Sequence, residues 1–159
     1  MLSVALFTEL GLNPGASAGL SYAVRSSPER AVVVSLFGGP KVAGYLHPQS
    51  HSRLLGQLEG GVRVTGFDID LELLAGMGGT RMFRASPTYT FVDGALERVR
   101  FAGQWGWMPS AAVGIGGLLP GRDHLRWFVR PTVLIQAPYN SGAAPFFVAE
   151  IGVRTRGEP

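Results

Sequence analysis

The residues best equipped for chemistry are His47, Ser50, His51 and Ser52, which fall within the run His-Pro-Gln-Ser-His-Ser. A serine becomes a nucleophile when a histidine takes its proton and a third group orients that histidine. Here the four residues sit in a loop-like composition without an elbow motif, and neighbours on a strand point to opposite faces. The run therefore reads as a solvated loop, and the chain is expected not to be an enzyme. His47 and His51, with no cysteine or acid beside them, make a poor ligand set. No metal and no cofactor are expected. Gly114-Ile115-Gly116-Gly117 lacks the Lys-Ser/Thr that completes a phosphate loop, so close packing of strands explains it better.

The second chemically interesting set is a row of charges. Arg53, Gln57, Glu59, Arg63, Asp70, Glu72, Arg126, Arg130, Glu150 and Arg154 all share one parity of an alternating pattern, and Glu9 and Arg25 join them. Acids and bases in similar number on one face can neutralise one another when buried. The expected network comprises Glu59, Arg63, Asp70, Glu72, Arg126, Arg130, Glu150 and Arg154, as a structural filling rather than a channel.

The elements that must position these charges follow from the same alternation. From His124 to Ala137 one parity is Leu125, Trp127, Val129, Pro131, Val133, Ile135 and Ala137, all apolar, while Arg126 and Arg130 lie on the other. A strand sends successive side chains to opposite faces. Fourteen residues is long for a soluble strand, and a tilted strand needs only about 9–11 to cross a bilayer. The pattern predicts eight strands: Leu2–Leu10, Ala16–Arg25, Arg30–Gly38, Ser52–Thr65, Ile69–Phe83, Trp107–Leu118, His124–Ala137 and Ala144–Arg156. Turn-forming residues separate them, among them Asn13-Pro14-Gly15, Ser26–Glu29, Gly66-Phe67-Asp68, Pro120–Asp123 and Pro138–Gly142. The connections at Gly39–His51 and Arg84–Gly106 are expected to be long loops, the latter with a helical turn around Ala95–Arg98. Residues 1–159 form a single domain on the length prior.

Composition narrows the setting. Lys41 is the one lysine among fourteen basic residues, whereas the outside of a soluble barrel is normally solvated by flexible charges. The arginines form no basic cluster with interleaved aromatics, so nucleic-acid binding is not expected. Cysteine is absent, which removes disulfides and thiolate chemistry. The glycine-rich stretch Phe101–Gly121 is uncharged, but its glycines and prolines oppose a membrane helix. Met1 to Phe7 lacks the basic start and small-residue cleavage site of a secretory signal, so export would require a leader that these residues do not supply.

Two barrels could carry this alternation. In water the apolar parity would point inward, as a lipocalin-like cup binding an apolar ligand among Leu54, Leu58, Leu71, Val133 and Ile151. In lipid it would point outward with the charges in the lumen. Glycines such as Gly61, Gly76, Gly114, Gly116 and Gly152 share the charged parity. A narrow eight-stranded barrel needs such small residues beside large ones, and this favours charges inside. Trp107, Trp127 and Phe147 lie near strand starts on the apolar parity, where an interfacial girdle belongs. Gly56 and Gly60 leave a shallow outer strip that could seat a lipid chain or a protein.

Through alternation, loop asymmetry and a charged interior, nearly the whole chain resembles the small outer-membrane barrels of the OmpA-domain and OmpX type. The resemblance implies an all-β, antiparallel, up-and-down transmembrane β-barrel of about eight strands in a bacterial outer membrane. It implies contact with membrane lipid, a protein partner at loops 39–51 and 84–106, and a structural or interaction role, such as an accessory subunit of an envelope assembly. Some such barrels are lipid hydrolases, which attaches that alternative to the His47–Ser52 cluster. Those barrels commonly end on an aromatic residue, whereas Arg154-Thr155-Arg156-Gly157-Glu158-Pro159 departs from that pattern.

Overall fold

Alternating side chains and turn residues produce an all-β chain in the structure, a computed structural model that describes residues 1–9, 13–26, 32–47, 51–99, 103–139 and 142–156. Its strands are β1 (Leu2–Glu9), β2 (Asn13–Leu20), β3 (Tyr22–Ser26), β4 (Val32–His47), β5 (His51–Gly66) and β6 (Ile69–Arg84). They continue as β7 (Thr88–Val92), β8 (Ala95–Val99), β9 (Gly103–Trp107), β10 (Ser110–Leu119), β11 (Arg122–Tyr139) and β12 (Gly142–Thr155). The pairing order β10-β11-β12-β1-β2-β4-β5-β6 is antiparallel throughout, and β6 pairs back with β10. The sheet thus closes on itself in a barrel-like ring, which leaves no open edge along that path.

The twelve segments correct the expectation of eight continuous strands. The second expected strand is broken at Ser21: β2 stops pairing with β4 at Gly19↔Lys41, and β3 resumes at Tyr22↔Gly38. Opposite the break lie Gly39 and Pro40, and proline has no N–H for a ladder. On the opposite side of Ser21 the β1 ladder runs past the break, Met1 exchanging backbone hydrogen bonds of 2.8 and 2.9 Å with it. The sixth expected strand, Trp107–Leu118, corresponds to β10, and β9 precedes it mostly within the expected loop, separated from it at Met108-Pro109, another proline. Met108 N–H still donates to Gly78 at 2.8 Å, and Pro109 C=O accepts from Ile135 at 2.9 Å.

The connections also differ from expectation. Asn13-Pro14-Gly15 lies within β2, and Gly39–His47 is strand, so the expected long third loop shrinks to a short link after β4. The expected loop Arg84–Gly106 is also shorter than expected, because Gly103–Gly106 belong to β9 and pair with β6. Between β6 and β9 it holds the hairpin β7–β8 instead of a helical turn at Ala95–Arg98. Asp93 (φ 48°) and Gly94 (φ 83°) make its two-residue turn, the left-handed pair that tight hairpins require. Among the described residues, no helix is long and apolar enough to cross a membrane.

Candidate functional site: a charged lumen above an apolar exterior

The ring places the charged parity inside. Arg63, Asp70, Glu72, Arg126, Arg130, Glu150 and Arg154 are all buried, Asp70 completely, and Glu59 is nearly so. The apolar parity faces out: Leu6, Leu36, Leu58, Leu73, Met77 and Ile151 are each more than half exposed. All five residues proposed for an apolar ligand, Leu54, Leu58, Leu71, Val133 and Ile151, lie on this outer face.

The charges form one connected network. At the end nearest the Phe67-Asp68 turn, Arg126 Nε donates to Asp70 Oδ2 at 2.6 Å, and Arg154 Nη2 donates to the same oxygen at 2.6 Å. Thr65 Oγ1 donates to Asp70 Oδ1 at 2.6 Å. Arg154 also bonds Glu72, which accepts from Arg63 Nε at 2.6 Å and from Arg130 Nη2 at 3.1 Å. Arg130 Nη1 then reaches Glu150 at 3.3 Å and Glu59 at 3.4 Å. Lys41 ends the chain of contacts, 2.9 Å from Glu59 and 2.6 Å from Glu150. Arg63–Glu72 and Arg130–Glu150 are partners on neighbouring strands. Arg126–Asp70, Arg154–Glu72, Arg130–Glu72 and Lys41–Glu150 instead join strands that are not hydrogen-bonded neighbours, and so brace the ring across its bore.

Aromatic rings complete the packing of these cations. The Arg63 guanidinium lies 4.4 Å from the Phe37 ring centre, and Arg130 and Arg154 flank the Phe128 ring at 4.9 and 5.5 Å. Contacts of this kind help offset desolvation of a guanidinium. Gly114 and Gly116 leave the room the charges fill: a Cβ would come within 3.1 Å of Glu72 Oε2 at Gly114 and within 3.2 Å of Arg154 Nη2 at Gly116.

Beyond Lys41 the lumen changes character. Phe7, Ala43, Tyr45, Leu55, Met108, Leu134 and Val148 form a buried apolar plug. Past the plug sits Arg53, also buried, with its guanidinium 4.2 Å from the Phe146 ring centre and 5.5 Å from that of Tyr45. Charge network and plug together occupy the interior along its length, as a narrow barrel requires, with a small cavity left beside Lys41, Glu59, Arg63, Arg130 and Arg154.

The remaining sequence candidates are scattered. His47 and His51 face each other across the β4–β5 link with ring centres 5.4 Å apart. Ser52 follows His51 on β5 and so points to the opposite face, and Ser50 lies outside the described residues. Among the described residues no group of three His, Cys, Asp or Glu is placed to hold a metal. Trp107 is exposed toward the His51 end, Phe147 is exposed farther along β12 as its sixth residue, and half-buried Trp127 lies at the other end against Gly117. The side chain of Arg25 is outside what is described.

Sequence reading missed Lys41, because Gly39-Pro40 disguised β4 as a loop. It also missed the plug, since sorting parities by charge overlooks inward apolar residues such as Leu55 and Leu134. Comparison with protein families, curated proteins and solved structures found no match to this chain.

Proposed function

We propose that this chain is a small transmembrane β-barrel of a bacterial outer membrane, with a structural or interaction role such as an accessory subunit of an envelope assembly. Counting β2 with β3 and β9 with β10, it spans the bilayer with eight strands. One observation carries the reading: large apolar side chains cover the outside of a closed sheet whose inside is filled by paired charges. In water each exposed leucine forgoes roughly 1.5–3 kcal/mol of burial. In lipid the same surface is matched to its solvent, and the closed ladder satisfies every strand.

The filled lumen supports a non-conducting role over a channel. Membrane lipid is the partner of the outer face. The protein partner is assigned to the β7–β8 hairpin, whose Tyr89, Phe91 and Leu96 are exposed, and not to residues 39–47, which belong to β4. A two-stranded hairpin alone is marginal in water, so contact with a partner would steady it.

The test is to express the chain behind a cleavable export signal and to fractionate the envelope. Outer-membrane retention, resistance to carbonate extraction and heat-modifiable gel mobility are expected. A monodisperse protein in detergent-free buffer would overturn the reading.

A further inference from the structure

The outward parity of β4, β5 and β6 carries one charged residue, Arg81. It stands on the rung Leu54–Arg81–Trp105, beside the rung Ser52–Phe83–Gly103. Its guanidinium lies 4.7 Å from the Trp105 ring centre and 5.4 Å from that of Phe83. Trp105 and Trp107 are themselves exposed on this face. From Ile69, the first outward residue of β6, a tilted strand climbs about 30 Å to reach Arg81. An apolar band is about 25 Å tall, so Arg81 falls at the upper boundary, at the level of headgroup phosphates.

The next rung into the band is Val42–Gly56–Gly79–Trp107. A Cβ on Gly56 would meet nothing within 4 Å, and one on Gly79 only Gly106 O at 3.9 Å. Directly beneath the guanidinium the sheet therefore has an open floor flanked by an indole. Charge above and a smooth apolar floor below match an anionic phospholipid: phosphate on the cation, acyl chain along the glycines.

We propose that Arg81, with Trp105 and Phe83, binds the phosphate of one anionic phospholipid in the leaflet nearest the β7–β8 hairpin, its acyl chain lying over Gly56 and Gly79. This rests on the membrane reading above. Arginine suits the task because its planar fork pairs with phosphate oxygens while its face stacks on rings.

The test uses the full chain refolded into nanodiscs of mixed phosphatidylcholine and phosphatidylglycerol, released intact into a mass spectrometer. Wild type should retain phosphatidylglycerol in preference. Arg81→Gln should cut that enrichment about tenfold, the worth of a hydrogen bond to a charged group, while Arg81→Lys keeps part of it. Arg84→Gln, on the inward parity at the strand end, should leave it unchanged. Gel mobility shifts on the same samples report insertion. Inserted wild type with no enrichment, or enrichment untouched by Arg81→Gln, overturns the lipid site and leaves the barrel standing. Failure to insert overturns both. Loss of the lipid to inorganic phosphate at low concentration would make this a soluble-anion site and overturn the assignment to lipid.

Discussion

Arg130 on β11 and Glu72 on β6 meet at 3.1 Å across the lumen, although β10 lies between their strands in the sheet. Backbone pairing alone could close the ring without this contact. What the contact adds is a brace across the bore, repeated by Arg130 to Glu59 on β5.

Removing that brace should be costly. In Arg130→Ala, Glu59, Glu72 and Glu150 keep only their other cations, and buried carboxylates lose their shared neutraliser. Breaking a buried pair from one side costs about 3–5 kcal/mol. Urea unfolding of the refolded barrel should show a loss of that size, and Arg130→Lys should recover part of it by restoring charge without the fork. Wild-type stability in Arg130→Ala would mean that the network is solvated and contributes little.

How much of this was legible beforehand depended on local punctuation. The unbroken alternation around Trp127 and Arg130 predicted both β11 and the side on which its arginines would sit. Gly39-Pro40 had the opposite effect, because residues that ordinarily end strands here only interrupt one ladder while β4 continues to His47. Ala95–Arg98 carries helix-friendly residues, yet Asp93-Gly94 folds it into a hairpin. Arg81 stands apart from the row of charges, on the outward parity of β6 with Leu71, Leu73 and Met77, so sorting by charge did not reveal it. The plug was unreadable for another reason: Phe7, Leu55 and Leu134 meet only once the ring is closed, and no single strand records that meeting.

The outer face offers a test of sign. Leu73 is well exposed on β6, four residues beyond Ile69, which puts it about 10 Å up an apolar band about 25 Å tall. Arg at that depth in a bilayer should cost about 2–4 kcal/mol, whereas on a water-facing surface it would be nearly neutral. Leu73→Arg should therefore lower refolding yield and stability in lipid vesicles. An indifferent Leu73→Arg variant would place this face in water.

Glycines on the two faces should respond differently to a methyl group. At Gly61, on the inward parity of β5, a Cβ would come within 2.1 Å of Leu73 O and 3.0 Å of Leu74 Cα. Both are β6 backbone, which cannot rotate aside, so Gly61→Ala must pull the two strands apart. The cost should be about 1–3 kcal/mol, as for other overpacked sites. At outward Gly56 the same methyl meets nothing within 4 Å, and reduced freedom of the unfolded chain should leave Gly56→Ala unchanged or up to ~1 kcal/mol more stable. Parallel unfolding of the two variants measures the difference directly. If they shift alike, the inward crowding at Gly61 does not hold β5 and β6 in their register.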